Sequence, residues 1–97
     1  MKRGGHVYIM TNKRYGVLYI GVTSDLVARV TQHREGKGGD FTSKYRYTRL
    51  VYIEEFPTIE EAIAREKAMK AWKRAWKIAA IEKANPGWND LYQKLLA

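Results

Sequence analysis

His6-Val7-Tyr8-Ile9-Met10 and Val17-Leu18-Tyr19-Ile20-Gly21-Val22 are the two stretches on which the fold turns. Both are short, rich in β-branched and aromatic residues, and separated by Thr11-Asn12-Lys13-Arg14-Tyr15-Gly16, a run of turn formers, so they predict a β-hairpin. Side chains alternate along a strand, and an antiparallel register that sets Tyr8 opposite Tyr19 would project both phenols from one face. Beyond the hairpin, Thr23-Ser24-Asp25 supplies cap residues for a helix over Leu26–Arg34, which Gly36 can end. The glycines between Gly36 and Lys44 predict a loop. Leu50-Val51-Tyr52-Ile53 reads as a third strand. Thr58, with Glu61 three residues on, has the pattern of a capping box for a helix running to about Trp72. The apolar period continues through Trp76 and Ile81 to Asn85-Pro86-Gly87, leaving open whether the helix breaks near Lys73-Arg74. A last short helix is expected from Trp88 to Leu96.

The 97 residues suffice for one domain with a modest core, so one domain spanning 1–97 is expected, with recognition and chemistry on a shared surface. No apolar run approaches the roughly 18 residues of a membrane span, and no signal-peptide pattern opens the chain, so the expected location is the cytoplasm and no membrane partner is expected. The absence of cysteine excludes disulfides and thiolate zinc sites, leaving hard cations with oxygen ligands as the metals to consider. The net charge is +8, and it is uneven: residues 1–53 hold ten Lys/Arg against three Asp/Glu, residues 54–97 eight against seven. An excess of this kind on the strand and loop half suits a polyphosphate partner, because Lys and Arg displace its condensed counterions. Lys37, Lys44, Tyr45, Arg46, Tyr47 and Arg49 interleave cations with aromatics, which suits backbone neutralisation with stacking on exposed bases. Lys70, Lys73, Arg74 and Lys77 form a second basic group, read as a solvated face with Trp72 and Trp76 in the core.

Two charged residues fall where a core-facing helix should be apolar. On the first helix Arg29 and His33 border the stripe of Leu26 and Val30; arginine's planar fork suits a pair of phosphate oxygens, and the structural alternative is a salt bridge. On the second, Glu66 lies within about 20° of the centre of the Ile59 stripe. A carboxylate taken out of water requires a cation, a hydrogen-bond cage or a solvent-open cleft, so a divalent metal and an i,i+4 pair with Lys70 both remain open. Glu54, Glu55 and Glu60 have no such position and are read as solvated.

Tyr8, the intact Tyr19-Ile20-Gly21, Arg29, His33, Glu66 and Asn85-Pro86-Gly87-Trp88, in this order and spacing, resemble the GIY-YIG nuclease family, and most of all its small stand-alone members, which are similar to the nuclease module of the excinuclease C subunit. The resemblance implies an α/β domain of the α+β type: a small three-stranded, mainly antiparallel sheet flanked by helices. It also implies a metal-dependent endonuclease acting on DNA, RNA not being excluded, with a role in repair or recombination. Tyr8 or Tyr19 would then assist deprotonation of water, Arg29 would bind the phosphate, His33 would relay a proton or hold the phosphate, and Glu66 would ligate one Mg²⁺ or Mn²⁺. Gly21 would let the backbone approach the site, and Asn85, or Asn89 in its stead, would be the family's asparagine. No sequence-reading module is evident, so specificity is expected for structure or from a protein partner, with the oligomeric state open. The other readings are a nucleic-acid-binding module of the same fold that cleaves little or not at all, and an adaptor acting through exposed aromatics.

Overall fold

The computed structural model describes residues 4–36 and 46–97. Along the chain come β1 (Gly5–Thr11), β2 (Leu18–Thr23), α1 (Leu26–Arg34), β3 (Arg49–Phe56), α2 (Ile59–Lys70), α3 (Arg74–Ala84) and α4 (Tyr92–Leu96). The strands form one antiparallel sheet in the order β2-β1-β3. β1 is therefore the central strand, paired on both sides, and its alternating side chains enter two cores, one on each face of the sheet. Val7 and Ile9 enter one core with Ala62 and Met69 of α2, Ile81 of α3 and Trp88. Tyr8 and Met10 enter the other with Leu26 and Val30 of α1, Tyr47 and Leu50. A register shift between Ile9 and Met10 turns both Val51 and Tyr52 toward the α2 and α3 side.

The helix starts follow the sequence. Asp25 caps α1, its carboxylate accepting from Ala28 N at 3.2 Å, and Thr58 caps α2 by accepting from Glu61 N at 3.2 Å. Thr58 Oγ1 also donates to Glu61 Oε1 at 3.2 Å, so the capping pair closes side chain to side chain. The helix break left open by the sequence is present: α2 ends at Lys70, and Lys73 is extended (φ −61°, ψ 149°) before α3.

Four expectations are corrected. Tyr8 faces Gly21 and Tyr19 faces Met10, so the two tyrosines are diagonal neighbours, with rings 6.3 Å apart on a shared face. The last helix begins at Tyr92, not Trp88; Trp88 takes a left-handed φ of 55° in the turn set by Asn85-Pro86-Gly87, which sends its ring into the core, fully buried. Trp76 is 57% exposed and Trp72 half-buried, so the tryptophan that fills the core is Trp88. Glu54, read as solvated, is half-buried and receives Arg65 Nε at 2.9 Å.

Polar contacts tie distant segments to this frame. Arg34 Nη1 donates to Asp90 Oδ2 at 2.6 Å and to Thr48 O at 2.8 Å, and its guanidinium covers the Tyr92 ring at 4.3 Å. The hydroxyls of Thr31 and Tyr92 bond at 2.7 Å, and Asp90 Oδ1 accepts from Leu50 N at 3.1 Å. Buried Asn85 donates through Nδ2 to Val51 O (3.1 Å) and Asn89 O (2.9 Å) and accepts from Asn89 N at 3.1 Å. Because it satisfies a buried carbonyl of β3, Asn85→Ala should lower unfolding free energy by about 1–3 kcal/mol in urea titration.

Candidate active site

The geometry of the site starts at Gly21. A Cβ there would run into the ring and hydroxyl of Tyr8, which is 1% exposed and has no room to retreat. Glycine on the edge strand thus opens the space into which the central-strand phenol extends. Tyr8 Oη meets His33 Nε2 at 2.9 Å, and the bond is buried. His33, 1% exposed on the last turn of α1, also lies edge-on to Tyr19 at 4.9 Å. Tyr47 adds a fourth ring, 5.5 Å from Tyr19 and fully buried. Its place here was not singled out by the sequence, where it stood only as one aromatic within a basic run.

Arg29 is one helical turn before His33 and half-buried. Nη1 donates to Gln32 Oε1 at 3.2 Å, and no described acidic residue supplies the salt bridge entertained for the guanidinium. Its charge acts on the tyrosines instead: interaction with the Tyr8 phenol is the main influence raising the Arg29 pKa, ahead of burial, which opposes it. Burial pushes Tyr8 up to about 12, with Arg29 pulling the other way. Burial, seconded by the Arg29 charge, lowers His33 from 6.5 to about 4. At neutral pH the pair is therefore a protonated phenol against a neutral imidazole, beside a permanent cation. In the tautomer with hydrogen on Nδ1, Nε2 accepts from Tyr8.

Glu66 is placed differently. It belongs to α2, the helix on the far face of the sheet from Tyr8 and His33, and its carboxylate, 13% exposed, takes Lys70 Nζ at 2.8 Å. No hydrogen bond or ion pair among the described residues joins it to the tyrosines, Arg29 or His33. Nor do the described residues contain a cluster of three His, Cys, Asp or Glu side chains able to hold a metal. One sheltered carboxylate is nonetheless a donor set that suits Mg²⁺, which keeps several waters and completes its shell with substrate phosphate.

The remaining candidates are scattered. Arg46 is exposed with φ 53°, Arg49 is half-buried and donates to Trp88 O at 3.3 Å, and Asn85 is committed to backbone partners within the fold. Lys37, Lys44 and Tyr45 lie outside the described residues. No helix among the described residues is long and apolar enough to cross a membrane.

Two outcomes follow from this geometry. Between pH 6.5 and about 4 the unfolded chain binds a proton at His33 that the native chain does not, so stability is complete above 6.5 and falls as pH drops through that window; His33→Gln should flatten this part of the stability profile by about one proton. Gly21→Ala should cost about 1–3 kcal/mol and shift the Tyr8 ring resonances in NMR spectra.

Comparison with known proteins agrees with the geometry. Residues 4–79 match the sequence profile of the GIY-YIG catalytic domain. A UPF0213 protein of Bacillus pumilus is 37% identical over 82 residues, 84% of each chain, and one of Staphylococcus epidermidis is 40% identical over 67 residues, 69% of this chain and 82% of that one. The solution structure of a UPF0213 protein from Bacillus halodurans superposes with a TM-score of 0.56 at 29% identity, covering 93% of this chain and 95% of the other. With its three-stranded antiparallel sheet, its Tyr19-Ile20-Gly21 strand and that extent of match, the chain belongs to the GIY-YIG catalytic domain family.

Proposed function

We propose that this protein is a divalent-metal-dependent endonuclease that hydrolyses DNA phosphodiester bonds, selecting its substrate by structure and serving repair or recombination. The observation that carries the reading is the buried Tyr8–His33 bond beside Arg29, a cation without a carboxylate partner among the described residues. A tyrosine raised to about 12 does not by itself remove a proton from water at neutral pH. Paired with a neutral imidazole it does not need to: once substrate binding admits the attacking water to the buried hydroxyl, Tyr8 Oη takes the water's proton as its own passes to His33 Nε2. Arg29 supports this transfer by favouring negative charge on Tyr8, and its fork stabilises the charge that builds on the phosphate. Glu66 would hold a Mg²⁺ or Mn²⁺ ion, which would supply Lewis-acid stabilisation of the leaving oxygen when bound. Lys70 must then release Glu66, and the negative phosphate offers it a new partner.

A second reading keeps the fold as a nucleic-acid-binding module with little or no cleavage. The Glu66–Lys70 pair favours it, since that carboxylate already has its cation. Linear, single-stranded and branched DNA incubated with Mg²⁺, Mn²⁺ or EDTA separates the two. The nuclease reading expects metal-dependent cuts, lost with EDTA and reduced by about 10²–10³-fold in Arg29→Ala and Glu66→Ala. Binding of all substrates with steep salt dependence, no cutting under any metal, and unchanged affinity in Glu66→Ala would establish the binding module. For the relay, His33→Gln should lower the rate at neutral pH while leaving the DNA dissociation constant within about threefold.

A further inference from the structure

The face of the molecule away from the Tyr8 cluster carries a second constellation that the catalytic reading does not use. Lys73, Trp76, Ala80 and Lys83 recur at helical spacing and share one side of α3. Trp76 is more than half exposed; Trp72 stands edge-on to it at 6.5 Å, and the Arg65 guanidinium lies over the Trp72 ring at 4.9 Å. The same arginine, with Tyr52, Glu54, Ala80, Lys83 and Ala84, lines an open groove of about 460 Å³. Groove and tryptophan are adjacent, because Ala80 lies one helical turn beyond Trp76.

The charge of this surface is one-sided. Glu54 is neutralised by Arg65, and Glu82 is held by the Tyr15 hydroxyl and Trp88 Nε1. Among the described residues Lys73, Lys77 and Lys83 form no ion pair. The result is an exposed flat ring between cations, leading into a groove walled by an aromatic and an arginine. Cations that neutralise backbone phosphates, combined with aromatic rings on which bases stack, are the requirements for holding an unpaired strand. A duplex hides its base faces and gains only the charge.

We infer that the α3 face from Trp76 to the Tyr52–Arg65–Lys83 groove binds a single-stranded segment of nucleic acid, with a base stacked on Trp76 and phosphates on Lys73, Lys77 and Lys83. The site lies on the opposite side of the sheet from Tyr8, so it grips an unpaired tail away from the cleavage face and gives selection by structure a physical basis. This rests on the nucleic-acid part of the proposed function and not on cleavage.

The test is fluorescence anisotropy of a labelled oligothymidylate about 12 nucleotides long, beside a duplex and an abasic oligomer of equal length, at constant salt and without metal. Trp76→Ala should weaken the single strand about tenfold or more and the duplex less than about twofold, while Trp76→Phe keeps most of the affinity. The abasic oligomer should bind wild type and Trp76→Ala alike. Trp76 is exposed, so its variants leave the core intact. Oligothymidylate binding unchanged in Trp76→Ala would overturn the inference, as would equal displacement of the strand by polyglutamate, which would mark the face as one for an acidic protein. Metal-dependent cutting of DNA by wild type, and its loss in Arg29→Ala, are read separately, so failure of the nuclease reading is distinguishable from failure of this site.

Discussion

β1 is the central strand of a sheet with helices packed on both faces, and that constraint organises the molecule. From Val7 to Thr11 every residue of β1 is buried, so a polar group placed there must find its partner inside. Tyr8 is such a group. Its phenol needs space, which Gly21 on the neighbouring strand leaves open, and a hydrogen-bond partner, which His33 supplies from α1. Strand pairing, helix placement and the electrostatics of the site are thus linked through one buried hydroxyl.

The same burial decides which protonation states are present. A phenol driven up and an imidazole driven down do not form an ion pair; they form a neutral hydrogen bond that is stable until a change in nearby charge makes proton movement favourable. Arg29 is that influence on the protein side, and a phosphate would bring the opposite charge. In the proposed reaction, proton transfer within the pair would therefore be coupled to the arrival of a phosphate.

Much of this was legible in the sequence, and the limits have physical causes. The hairpin, the capped helices and the α+β class rest on local rules of period, turn and cap, and all three are present. Arg29 and His33 near a core-facing edge could be read from helical period because both are on one helix. The pairing of Tyr8 with Gly21 could not, since register depends on the turn and on packing, and the sequence offered a register two residues away. Glu66 was recognised as anomalous, yet the period shows only that it faces inward, not which of two layers it faces. Trp72, Trp76 and Trp88 illustrate the same limit: hydrophobicity alone cannot rank three tryptophans, and a left-handed φ at Trp88 sends to the core the one that a helix would have placed elsewhere. Asn85 was singled out as the family's asparagine for a site role, and its hydrogen bonds to Val51 and Asn89, across 34 and four residues, make it a clasp of the fold.

The bonds from Arg34 to Asp90 and from Thr31 to Tyr92 bear on where this module ends. The profile of the family stops at residue 79, whereas α1, which carries Arg29 and His33, is braced by side chains from beyond that point, and Trp88 fills the core from there as well. The stretch that the family profile matches is therefore shorter than the stretch that folds as a unit. The helix that carries Arg29 and His33 lies within the matched part, but its footing comes from a segment beyond it, so shortening the chain at residue 79 would loosen α1 without removing either residue.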